Sequence, residues 1–281
     1  MSGAATTAVE ARHGAATAGR ARRSLVRLPM IVVAVSLWEL TARSAASVFF
    51  PPPSRIGQRF ASDWLSGSPS GLFLSDAFVT NALPTILRLL AGWTIGALCG
   101  VGIGVLIASL PRVGAMAEPL VRLGMSAPAP ALLPLAIVFF GLDNGGKIFF
   151  IAFGAVWPVI ISTTIGLRNA DRTALASASS LVLPTWTWFT RVRLPLASPQ
   201  IMSGLRVSVN AAVLLIIVAE LYGATSGIGF FIVSTQRNFD TVGTWSGIVL
   251  LALLGITCNG LFALVQDRVM HWHIRPREAQ K

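Results

Sequence analysis

This chain has little charge. Only 12% of its 281 residues are charged, and acids are rarer than bases, 11 Asp and Glu against 22 Lys and Arg. With 54% hydrophobic residues and a mean hydropathy of +0.71, the composition excludes an ordinary soluble globular domain and points to an integral membrane protein. Cysteine is limited to Cys99 and Cys258, both within apolar runs. That excludes a disulfide framework and leaves the expectation of two small buried hydrophobes. Histidine occurs only near the ends, at His13, His271 and His273, so no metal site is expected. Also missing are a GxxxxGK(S/T) phosphate loop, an HExxH zinc motif and any paired His/Cys set. No catalytic residue, metal or cofactor is therefore assigned to this chain. The net charge of +11 does not mark a nucleic-acid partner, because the basic residues stand at the ends of apolar runs and not along one amphipathic face.

What the chain has in abundance is apolar length, and its runs predict an all-α membrane domain of about six spanning helices over residues 28–266. Residues 1–27 are expected to form a disordered basic tail. The first span, near 28–48, is longer than the core of a cleavable signal and is expected to be retained. Within it Glu39 and Arg43 stand four apart on one face, placed to neutralise each other near the outer interface. Pro51, Pro52 and Pro53 forbid further helix, and a short amphipathic helix is expected at 54–65. The second span, 89–110, carries Gly92, Gly96, Gly100 and Gly104 at intervals of four, a ridge that lets another helix approach closely.

After a loop at 111–122, the third span, 123–142, holds Pro128, Pro130 and Pro134. Each removes a backbone donor, and broken helix is tolerated in a membrane only where protein or a water-filled cavity satisfies the freed carbonyls. Two readings stand: lining of a translocation pathway, or a kinked packing helix. A polar turn at 143–147 leads to the fourth span, 148–167. The fifth, 207–221, has Glu220 near its far end, either a pathway residue or a helix-end carboxylate reaching water. The last span, 244–266, precedes a basic tail at 267–281.

Six spans put both termini on one side. That side receives Arg12, Arg20, Arg22, Arg23 and Arg27, then Arg112 and Arg122, then Arg168, Arg172, Arg191, Arg193 and Arg206, and finally Arg268, Arg275, Arg277 and Lys281. The opposite side receives Arg55, Arg59, Arg88, Lys147 and Arg237, with Arg43 near its edge. The excess of basic residues makes the termini and the long polar stretch 168–206 cytoplasmic. Glu39 and Glu220 are the only acids inside spans, too few for a proton or sodium relay, so energy for uphill transport is expected from another polypeptide. A gradient-driven secondary carrier is the alternative, although no repeat between the halves is visible.

Within 168–206 the run Arg191, Val192, Leu194-Pro195, Pro199, Ile201, Gly204-Leu205-Arg206 resembles the second half of the signature loop of ABC importer permeases of the binding-protein-dependent class, most closely the nitrate, sulfonate and taurine branch. The likeness extends over nearly the whole chain: Trp38-Glu39-Leu40, Pro51-Pro52-Pro53-Ser54, Pro130 with Leu133-Pro134 leading to Phe140-Gly141, and Ala219-Glu220-Leu221 with Gly227-Ile228-Gly229. The family loop begins Glu-Ala-Ala with a later Gly at its turn. Counted back from Leu194-Pro195, those positions hold Ala176, Ser177, Ala178 and Val182, so both the Glu and the Gly are absent. A β-branched Val does not replace Gly cheaply at a turn. Pro184 is the expected substitute, since it restricts Leu183 to extended geometry and can begin the next helix at its first position.

The resemblance implies a type I importer permease fold with both termini inside, in a bacterial inner membrane. It also implies a loop that couples to a cytoplasmic ATPase dimer binding ATP and magnesium, a second permease copy or paralogue, and an extracytoplasmic binding protein. Trp186, Trp188 and Phe189 suit either the lipid headgroup level or a docking surface. The eroded signature adds a further alternative, that the chain is one half of a heterodimeric permease.

Overall fold

The computed structural model describes residues 29–45, 47–67, 74–141, 143–170, 175 and 183–270, and among these every regular element is helical. We number the helices α1 (29–45), α2 (Pro53–Trp64), α3 (Phe78–Ser109), α4 (Pro111–Ser126), α5 (Ala129–Phe140), α6 (Asn144–Arg168), α7 (Thr185–Leu221), α8 (Ile228–Arg237) and α9 (Thr241–Val269). Among the described residues α3, α6, α7 and α9 are long and apolar enough to cross a membrane, and α4 with α5, bent by 91°, are together apolar enough for a broken span or a re-entrant loop.

The glycine row of α3 fixes how the centre is built. A Cβ on Gly92 would lie 2.7 Å from Ile151 Cβ, on Gly96 2.7 Å from the Ala152 carbonyl, on Gly100 2.7 Å from Val159 Cβ and on Gly104 2.6 Å from Thr163 Cβ. Side chains at these positions would hold the two helices apart. Because the contacts ascend together along both helices, α3 and α6 run parallel, so the chain between them must recross the membrane. The bent α4–α5 pair makes that return. On its other flank α6 meets α7 antiparallel, with Gly166 against Ala197 and Gly204 against Ser162. The main core lies between these three helices, around Leu89, Phe150, Ile151, Ala212 and Ile216.

Helix ends follow local chemistry. Asp143 accepts from the Gly146 N–H (3.1 Å) at the start of α6, and Asp240 from the Gly243 N–H (2.9 Å) at the start of α9, each satisfying a donor that the first turn leaves free. The amphipathic α2 lies along α9 and reaches α8 through Trp64. Trp64 is fully buried, donates to Ser246 Oγ at 2.9 Å and packs on Phe231 with centroids 4.7 Å apart. Arg59 bridges Asp63 (2.8 Å) and Asp240 (2.7 Å). Glu39 pairs with Arg43 at 2.6 Å and also accepts from the Ser54 N–H (3.0 Å) and Oγ (2.7 Å), so it ties α1 to the start of α2.

Three boundaries differ from the sequence reading. The second span starts at Phe78, not 89, because Thr85 and Arg88 find buried partners and the helix runs on through them. The expected loop at 111–122 is helical, entered by Pro111 at a position where a missing N–H costs nothing. The fifth span does not begin at 207: helix is continuous from Thr185, passing through a π turn at Phe189–Arg193. The cysteines differ too, since Cys99 is exposed on the outside of the bundle and Cys258 is half-buried.

Candidate functional site

At the extracytoplasmic ends of α3, α6 and α7 a cluster of polar side chains is sealed inside the bundle. Arg88 Nη1 meets Glu220 Oε1 at 2.8 Å, and the two side chains retain 6% and 0% of their exposure. Glu220 also accepts from Thr85 Oγ1 (2.9 Å) and the Gly229 N–H (3.0 Å). Arg88 donates further to Asn144 Oδ1 (2.7 Å), Ser226 O (2.9 Å) and Ser226 Oγ (2.8 Å). Thr85 Oγ1 in turn accepts from the Ile228 N–H at 2.9 Å. One hydrogen-bonded network thus joins α3, α6, α7 and the loop into α8.

Gly227 makes the network possible. Its φ is 131°, and a Cβ there would lie 2.3 Å from the Glu220 carboxyl carbon. Only glycine serves both the backbone angle and the approach. A helix-end carboxylate reaching water is therefore not what Glu220 is. Its charge is buried and saturated by donors, as an ion in a low-dielectric interior must be. Lys147, 6% exposed, lies beside this pair under α5. Hydropathy and charge alone place Arg88 and Lys147 in outer loops. The signal that could have found them was a lone charge in an apolar run at the same depth as Glu220.

At the cytoplasmic end, Pro184 (φ −55°, ψ 142°) precedes a helix whose first residue is Thr185, so the proline is the cap and not the first helical residue. Trp186 is 76% exposed and Arg191 is exposed, while Leu194 and Pro195 are half-buried. Arg193, which sequence reading did not single out, reaches back to the Leu167 carbonyl at the end of α6 (3.3 Å) and lies 5.9 Å from the Trp188 ring centre. Gly204 sits higher, where α7 crosses α6 against Ser162 and Pro158. Ala176, Ser177, Ala178 and Val182 lie outside the described residues.

Pro128 stands at the break between α4 and α5, Pro130 within the 3-10 turn that opens α5, and Pro134 at the start of its α-helical part. All three are exposed on the surface of the single chain. They are not brought together with Glu220. Of α5, Leu133 and Ala136 face inward, toward Lys147 and Ala219.

A sequence model of the family described as binding-protein-dependent transport system inner membrane component matches residues 100–271. A putative aliphatic sulfonates transport permease protein, SsuC of Bacillus subtilis, is 30% identical over 87% of this chain and 86% of its own length. The taurine transport system permease protein TauC of Escherichia coli is 26% identical over 90% and 91%. The nitrate import permease protein NrtB of Leptolyngbya laminosa is 28% identical over 73% and 71%. Among solved structures, a chain of the inward-facing MetNI methionine ABC transporter superposes with a TM-score of 0.59 at 17% identity, covering 70% of this chain and 98% of that one. At that identity the match speaks for the fold alone. The family model covers more than half the chain, and the chain therefore belongs to the binding-protein-dependent transport system inner membrane components, as a multi-pass ABC importer permease and not an enzyme.

Proposed function

We propose that this permease serves an ATP-driven importer of a small oxyanion such as a sulfonate, taurine or nitrate, driven through residues 168–206 by a separate cytoplasmic ATPase dimer that binds ATP and magnesium. The cargo class rests on relatives named for aliphatic sulfonates, taurine, nitrate and bicarbonate, which share an anionic oxygen-bearing group.

The observation that carries the coupling is the continuity of α7. Its 37 residues span about 55 Å, some 25 Å more than the hydrocarbon core. The rod begins among Trp186, Arg191 and Arg193 on the cytoplasmic side and ends at Glu220 in the sealed outer cluster. A tilt imposed on Trp186 is delivered to the outer end without an intervening loop. Arg193 moves the end of α6 with it, through the Leu167 carbonyl.

The exposed prolines of α5 support a second permease copy or paralogue. A single chain leaves that broken backbone open, and in a membrane a partner or a shared aqueous path must cover it. Lipid contacts the remaining apolar surface, and an extracytoplasmic binding protein delivers cargo to the outer face.

The test replaces residues 185–195 with a Gly/Ser linker in the native complex. Co-purification of the ATPase and uptake of labelled taurine, methanesulfonate and nitrate are then followed. Loss of both is expected, and retention of both would sink the coupling claim. The absent signature residues at Ala176 and Val182 favour a heterodimer as the second reading. An active complex containing two copies of this chain alone counts against it.

A further inference from the structure

We propose that Lys147 is the anion contact of the translocation pathway, the cationic donor that an oxyanion cargo meets beneath α5 after leaving the binding protein. The inference rests on the oxyanion reading above and assigns it a residue.

Lys147 is nine-tenths buried, yet its ammonium forms no hydrogen bond or ion pair with any described residue. The charges around it are Arg88, Glu220 and Asp143. Neither carboxylate bonds its ammonium, and Asp143 faces solvent. The Glu220 carboxylate already takes Arg88, Thr85 and the Gly229 N–H, and Asp143 Oδ1 caps the Gly146 N–H. The cluster therefore holds two cations against one buried carboxylate. An ammonium largely withdrawn from water with no bonded partner is costly, and an anionic ligand lowers that cost.

The lysine also sits where cargo must pass. It lines a void of about 10 Å³ beneath α5, with Leu133, Ala136 and Ile137 on one side and Ala219 of α7 on the other. That space takes about one water and no oxyanion, so this conformation is closed at this level. The helix above it is the movable part. α5 is set off by the 91° bend at one end and by Gly141, with φ 78°, at the other, so it shifts without breaking its own hydrogen bonds. Once α5 is displaced, three ammonium donors are presented to an oxyanion, beside a Glu220 already paired with Arg88 and an Asp143 that caps α6. Arg88 holds Glu220 away from the cargo, which leaves Lys147 as the attracting charge.

The experiment uses the full transporter, purified with its ATPase and binding protein and reconstituted in proteoliposomes, with methanesulfonate, taurine and nitrate as probes. Lys147→Gln is expected to lower uptake about tenfold or more while assembly and binding-protein-stimulated ATPase stay within about twofold, with Lys147→Arg retaining most uptake. A merely structural lysine would change assembly and ATPase as well. Should the Gln variant fail to assemble, Lys147→Cys in a Cys99→Ala, Cys258→Ala background decides. Uptake is restored by aminoethyl methanethiosulfonate, which rebuilds the ammonium, and not by the sulfonatoethyl reagent.

Uptake of an oxyanion by the Gln or Cys variant within about twofold of the parent overturns the assignment and leaves the oxyanion reading intact, as does equal rescue by both reagents. A binding protein whose cargo carries no oxyanion group overturns the reading itself, and Lys147 falls with it.

Discussion

Removing both members of the Arg88–Glu220 pair should cost less than the sum of the two single deletions, and the single deletions should not be equal. The pair is joined at 2.8 Å with side-chain exposures of 6% and 0%, so either single truncation leaves a buried charge. For Glu220→Leu the Arg88 guanidinium keeps its uncharged acceptors on Asn144 and Ser226 but is left beside Lys147 without its carboxylate, and the expected loss is about 3–5 kcal/mol. For Arg88→Met the orphan is a carboxylate that keeps Thr85 and Gly229 as donors and has Lys147 at hand, so the loss should be smaller by about 1–2 kcal/mol. The double variant replaces the pair with apolar bulk and should recover about 2–4 kcal/mol of the summed losses. Unfolding of the purified chain in mixed micelles of mild detergent and SDS, followed by helical CD, gives the four free energies of the cycle. A coupling below about 0.5 kcal/mol, or an Arg88→Met loss larger than that of Glu220→Leu, refutes the reasoning.

Three further outcomes follow from the packing. Gly96→Ala places a methyl 2.7 Å from the Ala152 carbonyl, against backbone that cannot turn aside, and should destabilise the chain by about 1–3 kcal/mol in the same assay. Gly102→Ala, with open space around it, is the neutral control. Gly227→Ala combines a φ of 131° with a Cβ 2.3 Å from the Glu220 carboxyl carbon. It should abolish accumulation in the membrane or lower stability by at least about 3 kcal/mol, read by immunoblot and melting. Phe239→Gly should do the opposite. Phe239 has φ 57° and is 84% exposed. It ends α8 in the turn where its own N–H bonds the Gln236 carbonyl (3.1 Å) and the Asp240 N–H bonds the Thr235 carbonyl (2.9 Å), a position that favours glycine. A gain of up to about 1 kcal/mol is expected, measured as a rise in melting temperature.

Hydropathy reads a membrane and not a helix, and this separates what was legible in the sequence from what was not. The apolar runs gave the all-helical fold and its approximate crossings. They could not show that α7 extends back to Thr185, because Arg191, Arg193 and Arg206 end an apolar window without ending a helix. They likewise stopped the second span at 89, since Arg88 costs too much in lipid to be placed there without a known partner. Partners belong to tertiary structure. Glu220 was visible as an acid in a span, but the guanidinium that fixes its role is 132 residues away, and no local pattern joins them. The π turn at Phe189–Arg193 and the helical course of 111–122 had no local signal strong enough to outweigh their prolines and arginines.

The broken third span gains its meaning from the neighbours that enclose it. Its prolines alone allowed a kink or a pathway, and its 91° bend alone would allow a re-entrant loop. The glycine contacts remove that freedom. Gly92 meets Ile151 and Gly104 meets Thr163, so α3 and α6 point the same way, and a chain leaving α3 on the cytoplasmic side must reach the outer side before α6 begins. α4 and α5 therefore cross, despite the bend, and they do so on the surface of the single chain. A crossing that is both broken and exposed is the least self-sufficient part of the bundle, because its interrupted hydrogen bonding needs a partner or water. It is also the part that covers Lys147. The segment whose backbone most needs company thus lies directly over the buried cation of the outer cluster that no described carboxylate bonds, and motion of the first would expose the second.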